Sequence, residues 1–195
     1  MTVVKSLRLG LAALLVAAAL ASPAGATTLA RMGLEELVSA NATIVVGQVM
    51  DVYSYWNDEG TFILTDMRIA TNELLKGKAQ HGDVTVTLMG GTVGETTTLI
   101  VGGAQLFEGG TYVLFLNRES LPGKRAVTVR DHVQGVFQVF EHGDGPRAVS
   151  QANSHPLMPD LFGNAEPPGG AAGMALSDLT HAIRVIERSA RPIQN

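Results

Sequence analysis

A chain of 195 residues with 14 Lys and Arg against 18 Asp and Glu carries a formal charge of −4 and holds no cysteine. That length suits one domain with appendages, and a mildly acidic balance without a basic run excludes a nucleic-acid partner, because neutralising phosphates takes clustered Lys and Arg. The missing thiols exclude disulfide staples, thiolate zinc sites and cysteine nucleophiles, so the fold must hold by its core alone.

Lys5 and Arg8 precede an uncharged apolar run, Leu9 to Ala21, and Ala24-Gly25-Ala26 fits a small-x-small cleavage pattern. Residues 1–26 therefore read as a secretory signal peptide. The run is shorter than the roughly 20 residues needed to span a bilayer, and nothing later in the chain is apolar for long enough. The expectation is a mature chain starting near Thr27, exported to the periplasm or the medium, with no transmembrane segment. Without Lys5 and Arg8 it holds 12 basic against 18 acidic residues.

Leu29 to Ala40 shows helical spacing, with Leu29, Met32, Leu37 and Val38 on one face. Ile44 to Tyr55 reads as a strand, bulged at Gly47. Asn57-Asp58-Glu59-Gly60 is a turn, and Phe62 to Glu73 alternates, placing Ile63, Thr65, Met67 and Ile69 opposite Leu64, Asp66 and Arg68. The two strands predict an antiparallel hairpin. Val84, Val86 and Leu88 alternate in the next strand. The glycines Gly90, Gly91 and Gly94 then predict a loop from Met89 to Glu95, followed by a β-prone run from Thr96 to Val101. Tyr112 to Leu116 is uniformly apolar, the mark of a buried strand. Asn117 to Lys124 predicts a loop. Arg125–Arg130, Val136–Glu141 and Arg147–Val149 predict short strands.

Short strands without alternating helices favour an antiparallel barrel or sandwich. Residues 27–150 form this expected β-barrel domain, and the Pro- and Gly-rich stretch 151–176 a linker, from which Leu161-Phe162 could dock on the core. Residues 177–191 form an amphipathic helix packed on the barrel, with Ser177 as N-cap and Leu179, Ile183 and Ile186 on its apolar stripe.

No stretch carries a catalytic motif. His81, His132, His142, His155 and His181 lack ligand spacing, so no metal is expected. The glycines at 90–103 lead into threonines and not into a helix, which argues against a phosphate cradle and leaves no cofactor implied. Asn41-Ala42-Thr43 matches a glycosylation pattern. Two surfaces remain as binding candidates. One is the rim Gly90, Gly91, Thr92, Gly94 and Glu95, offering backbone groups and hydroxyls. The other is the aromatic group Tyr53, Tyr55 and Trp56, a platform for sugar or peptide.

Glu35-Glu36-Leu37-Val38, Ile44-Val45-Val46-Gly47-Gln48-Val49, Glu73-Leu74-Leu75-Lys76-Gly77, Gly90-Gly91-Thr92-Val93-Gly94 and Tyr112-Val113-Leu114-Phe115-Leu116 recur in an order that resembles a group of exported bacterial proteins. That group is similar to the netrin-like, or tissue-inhibitor-of-metalloproteinase-like, variant of the OB-fold. The resemblance covers roughly residues 33–141. It implies a mainly β protein, an antiparallel OB-like barrel with a short N-terminal helix and a C-terminal amphipathic helix, and it implies no activity or catalytic residue. Metalloprotease inhibition does not transfer, because the inhibitors chelate zinc through an N-terminal cysteine. The resulting expectation is a non-enzymatic binding module of the envelope with a protein or glycan partner. The alternatives are a hydrolase with a dispersed site or a structural accessory of an envelope complex.

Overall fold

Tyr112, Val113, Leu114, Phe115 and Leu116 are all fully buried, and the architecture follows from the two faces they present. In a computed structural model, which describes residues 31–78, 82–129, 133–154 and 170–190, the chain is mainly β with two helices. The elements are α1 (Leu34–Ala40), β1 (Thr43–Trp56), β2 (Ile63–Lys76), β3 (Asp83–Met89), β4 (Gly91–Val93), β5 (Thr96–Thr98), β6 (Thr111–Leu121), β7 (Lys124–Val129), β8 (Val136–Phe140), β9 (Arg147–Ser150), β10 (Met174–Ala175) and α2 (Leu176–Ala190).

One large antiparallel sheet has the order β10-β9-β8-β6-β1-β2-β3, with β7 also paired to β6; β4 and β5 form a separate ribbon. On one edge β6 pairs with β1. On the other it pairs first with β8 (Thr111–Leu114) and then with β7 (Leu116–Leu121). Over Thr111–Leu116, the buried part of the strand, both rows of backbone groups are thus engaged, Phe115 donating to the Gly135 carbonyl, as burial demands. Tyr112, Leu114 and Leu116 enter a first core with Val45, Val49, Met67, Ile69, Val86, Leu88 and Val129. Val113 and Phe115 enter a second core on the opposite face, with Leu37 and Val38 of α1, Phe137 of β8, Ala148 of β9 and Leu179 and Ile183 of α2. This double burial is why β6 reads as a continuous apolar run. The free edge strands β3 and β7 lie beside each other, and Val86 and Val129 share the first core.

Several boundaries differ from expectation. β1 and β2 are 14 residues each, not short, and register shifts along their ladder supply the bends that such long strands need. Gly47 sits at one shift, and a Cβ there would lie 2.6 Å from Ile69 Cγ2 and 2.7 Å from the Ala70 carbonyl oxygen. Residues 117–121, expected as loop, continue β6 because each has a partner on β7; the turn contracts to Pro122-Gly123, with Gly123 at φ +78°. The segment Met89–Glu95 is not a plain loop, since Gly91–Val93 pairs with Thr96–Thr98, and the run to Val101 leaves the ladder after Thr98. Met174 and Ala175, within the expected linker, pair with β9. Ser177 lies inside the first turn of α2 and not before it. The signal peptide, Leu29, Leu161-Phe162 and most of the linker lie outside the described residues.

Local capping fixes the ends. Asn57 Oδ1 accepts from the backbone N–H of Thr61 (2.8 Å) and Phe62 (3.0 Å), tying the β1–β2 turn. The last carbonyls of α1 accept from Lys76 Nζ at Val38, Asn41 Nδ2 at Leu37 and Asn117 Nδ2 at Ala40, offsetting the unpaired end of a 7-residue helix. Ile183 is fully buried between α2 and the sheet. Ile183→Ala should therefore destabilise the protein by about 2–5 kcal/mol in chemical denaturation; a change below about 0.5 kcal/mol would show that α2 does not dock through this residue.

Candidate functional site

The far half of the β1–β2 hairpin carries both candidate surfaces, and a single bulge sorts their residues. Val49 pairs with Ile69 and Asp51 with Arg68, so Met50 is an extra residue on β1. Before it, the odd-numbered Val45 and Val49 face the first core. After it, Val52 pairs with Met67, Ser54 with Thr65 and Trp56 with Ile63, so the even-numbered residues take that face. Tyr53 and Tyr55 are turned outward together. The expected aromatic group is thereby split: Tyr53 and Tyr55 share one face and Trp56 lies on the other.

On the outward face the rings of Tyr53 and Tyr55 stack, with centroids 5.8 Å apart and planes 17° from parallel. Tyr53 is 69% exposed. The Tyr55 hydroxyl donates to Asp66 (3.0 Å) and accepts from Lys124 Nζ (2.6 Å), which also lies 3.3 Å from the Asp66 carboxylate. Nζ is 5.2 Å from the ring centre. Together with the short bond to the hydroxyl, that distance places it off the end of the phenol and not over its face, so the contact is a hydrogen bond. Thr87 donates to Asp66 at 2.6 Å. Next along the face Arg68 pairs with Asp51 and, at 2.7 Å, with Asp83. Asp83, then Asp51, raises the Arg68 guanidinium pKa. The Tyr55 hydroxyl is also raised, first by partial burial and then by Asp66, against Lys124, which lowers it. For Lys124, burial opposes the charge, but Tyr55 and Asp66 outweigh it and raise the ammonium pKa.

On the opposite face the expected rim forms the β4–β5 ribbon, with Gly94-Glu95 as its turn. Thr92 and Thr97 share a hydrogen bond (2.9 Å), and Thr92, Gly94 and Glu95 are exposed. Gly90 is buried, and its carbonyl accepts from Thr65 Oγ1 at 2.7 Å. Gly91, at φ +128°, lies against Ser54 and Thr65, where a Cβ would collide with both hydroxyls. The ribbon is thus clamped onto the hairpin by a position that only glycine can occupy.

Beneath it opens a cleft of about 200 Å³, floored by Thr65, Met67 and Leu88 and flanked by Met89, Ile100 and Leu106. Its lip carries Leu99 at 75% and Phe107 at 60% exposure, with Val101 at 90% beside it. The lip is pinned: Gly109 N–H donates to the Val49 carbonyl (2.8 Å), Phe107 N–H donates to the Tyr112 hydroxyl (3.0 Å), and Gln105 and Gln151 bond through backbone and side chain. Burial raises the Tyr112 pKa despite that bond.

The sequence singled out neither this lip nor Asp66, Arg68 and Lys124. Alternation had placed Asp66 and Arg68 opposite Met67, which is where they lie; the missing information was the Met50 bulge and the fold-back of Lys124. Asn41 is buried, and its side chain bonds to Leu37 and Asn117, so this residue is closed to glycosylation in the fold. His142 pairs with Asp144 at 2.7 Å, which lowers the Asp144 pKa, and His181 is exposed. Among the described residues no group of three His, Asp or Glu is placed to hold a metal ion, and no helix is long and apolar enough to cross a membrane. His81, His132 and His155 lie outside the described residues. Comparison with protein-family models, curated proteins and solved structures finds no match to the chain.

The Tyr55–Lys124 pair sets a pH dependence. Both groups hold their protons more tightly folded than unfolded, so their contribution to stability is complete below pH 10, the ordinary tyrosine value, and is lost as pH rises through the raised values. The melting temperature should fall above pH 10, and a Tyr55→Phe, Lys124→Met variant should lose less over the same range. Parallel alkaline melting curves for parent and variant would remove this linkage.

Proposed function

We propose that the chain is an exported, non-enzymatic binding module of the cell envelope, with its sheet curled into an OB-like, netrin-like barrel. In this reading it meets a protein partner at the cleft under the β4–β5 ribbon. The observation that carries the reading is the cleft itself. The described residues that line it include no titratable side chain, so it offers contact and no group for proton transfer. Its lip holds Leu99 and Phe107 out in water, with Val101 beside them, on a loop fixed at both ends. A monomer gains nothing by displaying such side chains together, whereas a partner that covers them gains roughly 25 cal/mol for each Å² of apolar area removed from water. Pinning the loop beforehand lowers the ordering cost of binding. The barrel reading is supported by the approach of β3 to β7 around one core. The export reading is supported by the charged, apolar and small-residue sequence of residues 1–26.

Two measurements test this reading. Mass spectrometry of protein from the envelope or medium should find an N-terminus at or near Thr27; an intact Met1 on the cellular protein sinks the export half. A photo-crosslinking residue at Val101 should give a discrete adduct in cells, lost when Leu99→Glu and Phe107→Glu are combined. Both positions are exposed, so that variant should stay within about 0.5 kcal/mol of the parent in stability. Adducts indifferent to the double variant, or no adduct at all, would remove the cleft as the contact surface.

A further inference from the structure

The outward face of the same hairpin carries a second site. By strand register Tyr53, Asp66 and Thr87 form one rung, and Asp51, Arg68 and Thr85 the next. Tyr55 backs Tyr53 from one side, so the ring of Tyr53 is held upright on the sheet while more than two thirds of the residue faces water. An isolated exposed tyrosine would lose rotamer freedom on gripping a ligand; this one has already been ordered by its neighbour. Around it the polar groups are tied in place. Arg68 is gripped by Asp51 and Asp83, and Lys124 by Tyr55 and Asp66, each partner remaining partly exposed. The result is a rigid aromatic face bordered by fixed carboxylates, a guanidinium and an ammonium.

We infer that this face, Tyr53 with Asp51, Asp66, Arg68 and Lys124, is a binding site for a neutral pyranose glycan. A pyranose ring has an apolar C–H face that suits an aromatic ring, and hydroxyls round its edge that suit paired carboxylate and guanidinium groups. The charges also choose among ligands. With Asp83 beside the site, three carboxylates stand against Arg68 and Lys124, all of them ion-paired, so the patch offers no unpaired cation to a polyanion such as a sulfated glycan or nucleic acid. Trp56 takes no part, because the Met50 bulge turns it to the other face. The site is independent of the cleft, whose floor of Thr65, Met67 and Leu88 lies on the opposite side of the hairpin.

The test is calorimetric titration of the full-length mature chain with chitohexaose and with cellohexaose, using heparin hexasaccharide as an anionic counter-probe. Saturable binding of at least one neutral hexasaccharide is expected. It should be weakened about tenfold or more by Tyr53→Ala, as loss of one stacking contact implies, and restored by Tyr53→Trp. Tyr53 is exposed and both variants should fold, which their melting curves check. The Leu99→Glu, Phe107→Glu variant should bind as the parent does, so failure at one surface is distinguishable from failure at the other. No saturation by either neutral glycan up to about 5 mM, equal binding by Tyr53→Ala, or preference for heparin would each overturn the assignment.

Discussion

One strand, β6, has no face to spare. Its central residues fill a core on each side of the sheet, and its edges are taken by β1 on one hand and by β8 and β7 in succession on the other. It joins the β1–β2–β3 side of the sheet to the β8–β9–β10 side. The helices can dock only because Val113 and Phe115 offer them an apolar floor, and Phe115 meets Phe137 at a tilt of 45° with centroids 5.7 Å apart, a favoured aromatic geometry. On the other face Tyr112, Leu114 and Leu116 share one core with Val86 of β3 and Val129 of β7. A polar substitution in this run would leave a buried group without water or partner on whichever face it entered.

The hairpin departs from this economy. Only the first half of β1 pairs with β6; from Asp51 to Trp56 its sole partner is β2. That half has fewer neighbours to bury it, and its side chains show it: Val52 and Trp56 are partly exposed, Tyr53 strongly so. Such a projection suits contact with other molecules, since a side chain on each face, Val52 and Tyr53, reaches solvent. The β4–β5 ribbon covers part of one face, anchored at Gly90 and Gly91, and the polar lattice of Asp51, Asp66, Arg68 and Lys124 covers part of the other.

Elements with one clear period could be read from the sequence. Alternation in 63–69 and 84–88 gave the faces of β2 and β3, and the uniform run 112–116 gave the doubly buried strand. The helical stripe of α2 gave Leu179 and Ile183, both buried. What escaped depended on partners distant in the chain. Asn117 to Leu121 is polar and looks like a loop, but β7 supplies it with a ladder. Thr96 to Val101 is uniformly β-prone, yet β4 is only three residues long and the pairing ends with it. Leu99 and Val101 therefore looked like strand residues when they are the exposed edge of a cleft. Lys124 sat in a predicted loop, and only the fold-back of the β6–β7 turn brings it 69 residues back along the chain to Tyr55.

The Met50 bulge ties these observations to one physical cause. In a regular ladder an inserted residue exchanges the faces of all that follow, and a bulge absorbs it so that the faces resume. With Met50 in place, Tyr53 and Tyr55 point outward beside Asp66, and Val52 and Ser54 point inward beside Met67 and Thr65. Were Met50 paired in a regular ladder and not bulged, the tyrosines would be carried over the first core and Val52 would move to the outward face opposite Asp66. The Gly109 and Gly110 backbone groups bond to Val49 immediately before the bulge, so the loop that carries Phe107 is fixed at the point where the faces exchange. The apolar cleft and the tyrosine face are therefore not two accidents of exposure. The tyrosine face depends on the bulge, and the hydrogen bonds at Val49 that hold the cleft's lip lie directly beside it.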